Sequence, residues 1–203
     1  MSGGGDNGGI PRRRLLQGAA LTAASGWAAS AARAQGAGRV SVVFLSRSSN
    51  TRMLAGHLSR RFAADLFEIR PRDPWPEDYD QMVAWASRWR ESDRLLPLER
   101  MPDLSGHDTV FLGFPIWGTA LPAPMRSLLA SVDLAGKIVL PFITHGGYGA
   151  GSSVDELRNL ATGANVADPF ILQCDQERDN LDALRTWLGR VATDIPSSQA
   201  QQD

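Results

Sequence analysis

Short apolar runs alternate with helix-like segments from residue 39 to residue 192, and this alternation restricts the possible folds more than any other feature of the chain. The apolar runs cover residues 39–45, 66–70, 108–114, 137–144 and 168–173. Between them, apolar side chains recur at the spacing of a helix face, as at Leu54, Leu58 and Phe62. Strands separated by helices pair in parallel through right-handed crossovers, which place helices on both faces of the sheet. The sequence therefore predicts one doubly wound α/β domain with five parallel strands.

Residues 1–34 have the composition of an export signal. Three arginines at 12–14 precede a weakly apolar run, and the sequence ARA at 32–34 has the small-x-small pattern of a cleavage site. The order Arg-Arg-x-Leu-Leu-Gln resembles a twin-arginine signal. We expect a twin-arginine signal peptide at 1–34, a short linker at 35–38, the folded domain at 39–192 and a disordered tail at 193–203. Cleavage would leave the mature protein in the periplasm; the alternative is a membrane anchor formed by an uncleaved leader.

The charge of the mature chain argues against several classes of partner. Removing residues 1–34 takes away four of the 21 basic residues and one of the 22 acidic residues, which leaves a net charge of −4. Nucleic-acid binding needs a basic face, so we expect no nucleic-acid partner. The single cysteine, Cys174, excludes an internal disulfide and a cysteine-ligated metal. We therefore expect no metal site, and no stable membrane insertion once the signal is cleaved.

The loops after the first, third and fourth strands are the candidate ligand site, because doubly wound sheets bind ligands beyond the carboxyl ends of their strands. The first loop and the helix start after it carry the short polar side chains Ser46, Ser48, Ser49, Asn50 and Thr51. Such side chains at a helix N-terminus suit a phosphate group. A triphosphate loop would also need a lysine, and the only lysine of the chain, Lys137, lies elsewhere.

The second loop begins with Pro115, Ile116, Trp117 and Gly118. An indole ring next to a flexible glycine peptide at the end of a strand suggests one wall of a site for a flat aromatic ligand. The proline at 122 stiffens the path into the next helix. Helix-like spacing of Met82, Trp85 and Trp89 elsewhere in the chain favours core or lid packing.

The third loop is rich in glycine, which lets its backbone approach a ligand closely. Its candidate binding residues are Thr144, Gly146, Gly147 and Tyr148. His145 is a possible catalytic residue, although it could equally fix the loop by hydrogen bonding. Ser153 and Glu156 have the spacing of a capping box, which predicts that the next helix follows Ser153.

Taken together, the stretches SRSSNTR, FLGFPIWGTALPAPMR and PFITHGGYGAGSSVDEL resemble the flavodoxin-like family over roughly residues 39–192. The resemblance implies a flavodoxin-like three-layer sandwich with strand order 2-1-3-4-5 and flavin mononucleotide (FMN) as cofactor. On matching positions it implies phosphate binding by Ser46, Ser48, Asn50 and Thr51, a ring border at Trp117 and Gly118, and an opposite loop at Gly146, Gly147 and Tyr148. Ser49 stands where the family usually has glycine, so a positive φ at this position would be strained.

The expected function is electron transfer through bound FMN, either to a small quinone-like acceptor or to a partner protein. Two alternatives stay open: an electron carrier with no small-molecule substrate, and a flavin-binding domain without redox use. The sequence does not decide whether the protein is an enzyme; if it is one, an FMN-dependent oxidoreductase is expected. Export would separate the protein from the cytoplasmic nicotinamide pool, which weakens a plain NAD(P)H oxidoreductase.

Overall fold

The computed structural model describes residues 38–174 and 177–191. The predicted signal peptide and the predicted tail lie outside these residues, as does nearly all of the predicted linker. The strands are β1 (Val40–Leu45), β2 (Asp65–Ile69), β3 (Thr109–Pro115), β4 (Ile138–His145), β5 (Asn165–Val166) and β6 (Phe170–Gln173). The helices are α1 (Asn50–Phe62), α2 (Tyr79–Glu91), α3 (Ala123–Leu129), α4 (Ser153–Leu160) and α5 (Glu177–Val191).

The sheet is parallel throughout and confirms the expected order 2-1-3-4-5. Its fifth position is divided, which the sequence did not reveal. β5 pairs with Ile138 and Val139 of β4, and β6 pairs with the stretch of β4 from Phe142 to His145. Pro169 lies in the break, where the missing backbone N–H cannot interrupt a ladder. The predicted strand at 168–173 therefore corresponds to β6, and β5 is an additional two-residue strand before it on the same edge of β4.

Two apolar layers cover the two faces of the sheet, as the strand alternation requires. One layer joins strand residues such as Val42 and Phe44 to α1 and α5, including the fully buried Leu58 and the nearly buried Trp187. The other layer joins the alternate strand residues to α3 and α4. Its members include Val43, Leu45, Ile69, Leu112, Phe114, Met125, Leu128 and Leu157. This arrangement confirms the expectation of helices on both faces.

One strand glycine is explained by packing across the sheet. A Cβ atom on Gly113 of β3 would lie 2.0 Å from the ring of Phe142 on the neighbouring β4. The absent side chain makes room for that buried ring, because a close-packed core has no spare volume at this point. The contact between Gly113 and Phe142 therefore explains both residue types. The residue pattern within one strand does not reveal it.

Helix α2 packs beside α3 and begins with an aspartate cap, since the side chain of Asp78 accepts a hydrogen bond from the N–H group of Gln81 (2.9 Å). Met82 is buried, whereas Trp85 and Trp89 are half-buried. Within residues 38–174 and 177–191, the helices are too short or too polar to cross a bilayer.

The predicted capping box is wrong by one residue. Ser152 precedes α4, and its side chain makes no cap hydrogen bond to the helix backbone. Its hydroxyl instead donates to Oε1 of Glu156 (2.5 Å). Ser153 is buried, and its hydroxyl donates to the carbonyl oxygen of Ala150 (2.7 Å). Ser152 and Ser153 both fit the sequence signature of a helix cap. Because Ser153 is buried, Ser152 takes the capping position.

Candidate functional site

Three loops meet at the carboxyl edge of the sheet: loop A (residues 46–49), loop B (residues 116–122) and loop C (residues 146–152). The hydroxyls of Thr51 and Thr144 form a buried hydrogen bond of 2.8 Å, which joins the start of α1 to the end of β4. The N–H group of Ile116 donates to the carbonyl oxygen of Thr144 (2.8 Å). The N–H group of Ser152 donates to the carbonyl oxygen of Thr119 (2.9 Å). Hydrogen bonds thus connect loop A to β4, and loop B to both β4 and loop C.

Loop A presents an open helix N-terminus. Ser46 is 2% exposed, and its hydroxyl oxygen accepts a hydrogen bond from the N–H group of Arg52 (3.2 Å) in the first turn of α1. Ser49 stands at the N-cap position without capping the helix through its side chain, and the first turn contains no acidic residue. Apart from that of Arg52, the N–H groups at the start of α1 therefore retain the capacity to bind an anion.

Ser49 adopts a left-handed backbone conformation with φ of 72°. Strain is expected at this position because serine stands where the family usually has glycine. A residue with a Cβ atom pays about 1–2 kcal/mol in this region relative to an ordinary conformation. The Ser49 hydroxyl oxygen accepts a hydrogen bond from Nη1 of Arg52 (3.1 Å), which helps to hold the turn.

The two arginines that flank loop A contact protein atoms. Nη2 of Arg47 donates to the carbonyl oxygen of Glu77 (2.9 Å). Arg52 forms an ion pair with Glu68, which also binds Arg70 at 2.8 Å. The hydrogen bond from Arg70 to Glu68 raises the pKa of that guanidinium. Loop A is thereby supported by a side chain of β2 and by a backbone carbonyl group of the segment before α2.

Loop B holds Trp117 within a group of indole rings. Its ring lies edge-on to Trp75, with centroids 5.8 Å apart, and edge-on to Trp85, with centroids 6.3 Å apart. Gly118 and Thr119 follow with φ of 61° and 64°. Glycine tolerates this conformation and threonine does not, so the turn after Trp117 is strained.

Arg90 of α2 lies against the same turn. Its Nη1 is 3.5 Å from the carbonyl oxygen of Gly118, and a Cβ atom on Gly118 would lie 2.0 Å from that nitrogen. The Thr119 hydroxyl also donates to the Gly118 carbonyl oxygen, at 2.6 Å. The peptide beside the predicted ring site therefore has two donors on its carbonyl group.

Loop C is organised by His145. Nδ1 of His145 accepts hydrogen bonds from the N–H groups of Gly147 (3.0 Å) and Gly149 (3.2 Å). These contacts favour the loop-fixing role. Of the two ring nitrogens, only Nε2 is outside these hydrogen bonds and is left for contact with a substrate. Tyr148 is 89% exposed at the tip of the loop.

Gly151 permits the close approach of loops B and C. A Cβ atom on Gly151 would lie 1.9 Å from the carbonyl oxygen of Thr119, and Gly151 has a φ of 55°. The hydroxyl of Ser152 lies 3.3 Å from the same carbonyl oxygen. Only a residue without a side chain at position 151 allows loops B and C to approach this closely.

The structure brings the predicted residues to one edge, and it adds residues that sequence reasoning missed. Ser46, Ser48, Ser49, Asn50 and Thr51 lie at loop A and the start of α1; Pro115 ends β3, and Ile116, Trp117 and Gly118 follow in loop B; Thr144 lies near the end of β4, and Gly146, Gly147 and Tyr148 follow in loop C. The missed residues are Trp75, Arg90, Thr119 and Gly151. Arg90 directly follows Trp89 on the helix that also carries Trp85, and this position was the available signal for Arg90.

Comparison with known proteins places this fold in a family. The flavodoxin family model matches residues 39–191. A candidate flavoprotein from Bacteroides eggerthii is 25% identical with a TM-score of 0.66, and the match covers 76% of this chain and 98% of that chain. A flavoprotein from Lactobacillus acidophilus in complex with FMN is 19% identical with a TM-score of 0.59, covering 72% of this chain and 99% of that chain. A search of curated proteins finds no match. Because the family model spans well over half of its length, the chain belongs to the flavodoxin family.

Proposed function

We propose that the protein binds FMN at the carboxyl edge of its sheet and transfers electrons through it. The observation that carries the proposal is the open N-terminus of α1 beside the buried hydroxyls of Ser46 and Thr51. A helix start of this kind offers backbone donors and partial positive charge to a phosphate. The FMN complex of the similar Lactobacillus acidophilus protein supports the same ligand class.

The residues present fit both ends of the cofactor. Ser46, Ser48, Asn50 and Thr51 would bind the phosphate, and the Thr51 hydroxyl can donate to it when Thr144 donates to Thr51. The ring would lie by Trp117 and Gly118 of loop B and face loop C. FMN supplies the capacity to accept and release one or two electrons, while the protein supplies binding and orientation.

We propose the mononucleotide rather than the dinucleotide, because loop A leads into a single helix N-terminus. The test is a titration of apo-protein with FMN, riboflavin and flavin adenine dinucleotide, followed by flavin fluorescence. Binding of FMN at least tenfold tighter than riboflavin is expected, since riboflavin lacks the phosphate. Equal affinity for the two would contradict a phosphate site at loop A.

For the electron acceptor, we propose a small quinone-like molecule. In anaerobic stopped-flow measurements, a soluble quinone should reoxidise the protein with reduced FMN. One quinone should be converted to hydroquinone for each two-electron-reduced flavin that is oxidised. Failure to react with quinones, together with fast reoxidation by an exported redox protein, would favour the carrier alternative. A slow reaction with NADH and NADPH is expected, because the proposed location has no nicotinamide pool.

We also propose export to the periplasm by the twin-arginine route. The support is the sequence of residues 1–34, which includes the paired Arg12 and Arg13. This route carries folded proteins and would suit a cofactor loaded in the cytoplasm. Replacing both arginines by lysine should keep the precursor inside the cell, as fractionation would reveal. Unchanged export of that variant would refute the assignment.

A further inference from the structure

A groove of about 370 Å³ opens along the last two turns of α2 and the segment that follows it. Its lining residues are Trp85, Arg88, Trp89, Ser92 and Arg94. The volume lies in the range of about 300–1,000 Å³ that small-molecule sites occupy. The groove was not among the sites that the sequence indicated, since the two tryptophans were expected to serve core or lid packing.

Helical spacing gives the groove an aromatic wall. Trp85 and Trp89 are four residues apart and therefore neighbours on α2, with ring centroids 6.2 Å apart and planes inclined by 57°. Both rings are half-buried, so each packs partly on the protein and partly borders the groove. Indole faces of this kind bind flat apolar rings.

The groove is also positively charged. Arg88 and Arg94 are exposed, and the five lining residues include no acid. Among residues 38–174 and 177–191, no carboxylate lies within ion-pair distance of either guanidinium; the nearby Glu91 pairs with Arg90 at 3.6 Å. Guanidinium groups bind carboxylates and sulfonates through paired hydrogen bonds, and they also stack on aromatic rings.

Contacts with α3 hold the groove in shape. Arg126 of α3 donates to the carbonyl oxygens of Trp89 and Arg90, the latter at 3.2 Å. The N–H group of Leu96 donates to the buried hydroxyl of Ser127 (2.8 Å). The last turn of α2 and the segment after it are thereby fixed to one helix, so binding requires little ordering.

We propose that this groove binds a planar aromatic anion, a fused-ring compound that carries a carboxylate or sulfonate. The ring would lie against Trp85 and Trp89, and the acidic group would pair with Arg88 and Arg94. Trp85 also contacts Trp117 of loop B, so the groove adjoins the proposed flavin site. The proposal deepens the proposed function by giving the quinone-like acceptor a fused ring and an acidic group, so its redox meaning rests on that function and requires that the ring be a quinone; binding itself requires no flavin.

Calorimetric titration of apo-protein with 2-naphthoate tests the proposal, with neutral 2-naphthamide and non-planar cyclohexanecarboxylate as matched probes. Naphthoate should bind at least tenfold tighter than either. The variant Arg88→Gln/Arg94→Gln should weaken naphthoate binding at least tenfold and leave naphthamide binding unchanged. Arg60→Gln removes an exposed arginine from α1, on the other face of the sheet, and should change neither.

Equal binding of naphthoate and naphthamide, or naphthoate binding that the double variant retains, would overturn the proposal, as would no naphthoate binding. Trp89→Leu should weaken the binding of both aromatic probes, naphthoate and naphthamide. Thermal unfolding checks that this variant folds. The arginine variants keep the test decisive if that substitution fails to fold. Because FMN affinity is measured separately, a protein that binds naphthoate but not FMN would refute the proposed function alone.

Discussion

The two edges of the sheet use polar groups in opposite ways. At the amino edge, Asp65 accepts hydrogen bonds from Arg39 (2.7 Å) and from Nε2 of His107 (2.8 Å), and Lys137 donates to the carbonyl oxygen of His107 (2.8 Å). Arg39, Asp65 and Lys137 thus have partners within the protein. At the carboxyl edge, the loops meet through hydroxyls and backbone bonds, and the start of α1 keeps uncapped donors. Internal pairing stabilises the fold, whereas open donors are what a ligand needs.

Electrostatics mark the same difference. The hydrogen bond from His107, assisted by Arg39, lowers the pKa of Asp65. A second carboxyl group of the amino edge, Asp103, has its pKa lowered by hydrogen bonds from the hydroxyl and N–H group of Ser105. A cavity of about 320 Å³ lies among these residues, but its acids already have partners. This difference supports the proposal that the ligand binds at the carboxyl edge.

The largest expected effect comes from separating loops B and C. Gly151→Ala should lower the free energy of unfolding by about 1–3 kcal/mol and weaken FMN binding, because the new methyl group meets the Thr119 carbonyl oxygen in a left-handed turn. Urea unfolding and FMN titration measure the two effects. For the urea unfolding, Gly146→Ala is the matched control in the same loop, since a Cβ atom there meets no atom within 4 Å and φ is not positive. Equal effects of the two variants would contradict the role of close approach.

The next effect compares a hydroxyl from each edge. Ser48→Ala should weaken FMN binding by about 1.5 kcal/mol, which is the lower end for a hydrogen bond to a charged group. Ser48 is exposed and its hydroxyl oxygen accepts only a long hydrogen bond from Asn50 (3.4 Å), so stability should change little. Ser105→Ala at the amino edge should leave FMN affinity unchanged. An unchanged affinity in Ser48→Ala would remove that residue from the phosphate site.

A smaller effect, of opposite sign, is expected at Ser49. Ser49→Gly should raise the free energy of unfolding by up to about 1 kcal/mol, because glycine adopts the φ of 72° without strain. Ser48→Gly supplies the comparison: Ser48 has no positive φ, so glycine there should destabilise the protein by loosening the unfolded chain. Chemical denaturation of both variants gives the answer. A loss of stability in Ser49→Gly would mean that its bond to Arg52 outweighs the strain.

The smallest effect concerns the amino edge in acid. Because the pKa of Asp65 is lowered, its ionised carboxylate stabilises the folded protein at pH values above the ordinary aspartate pKa, which is near 4. This contribution disappears as the pH falls through the lowered pKa. Asp65→Asn should therefore reduce the loss of stability between neutral pH and about pH 3. The change should be small, because the side chain is 62% exposed. Unfolding curves across this pH range measure the effect. If wild type and Asp65→Asn lose stability in parallel, the contribution of the Asp65 carboxylate is contradicted.

Local patterning was sufficient for the sheet and for the position of the three loops. Apolar runs such as 39–45 are long and uniform, and carboxyl ends of parallel strands meet at one edge whatever their sequence. The division between β5 and β6 was missed because two and four residues make too short a pattern to separate. The predicted helix begins at Ser153 as expected, but the capping residue is Ser152, because burial of Ser153, which a local signature does not contain, distinguishes the two serines.

The contacts within the site depend on residues that are distant in the chain. Arg90 reaches Gly118 from 28 positions away, and Ser152 binds Thr119 from 33 positions away. Neither pairing follows from spacing within one element, because each depends on how α2, loop B and loop C pack. Residue types therefore indicated which loops to inspect, and packing determined how those loops are joined.

The most direct test of the account is a map of FMN binding on the backbone amide spectrum of the ¹⁵N-labelled protein. Addition of FMN to apo-protein should shift the amide signals of residues 46–52, 116–119 and 144–152, with the largest changes at the start of α1. Signals of Arg39, Asp65 and His107 at the amino edge should stay in place. Shifts centred on the amino edge, or an unchanged spectrum at saturating FMN, would contradict the central claim that the carboxyl-edge loops form the cofactor site.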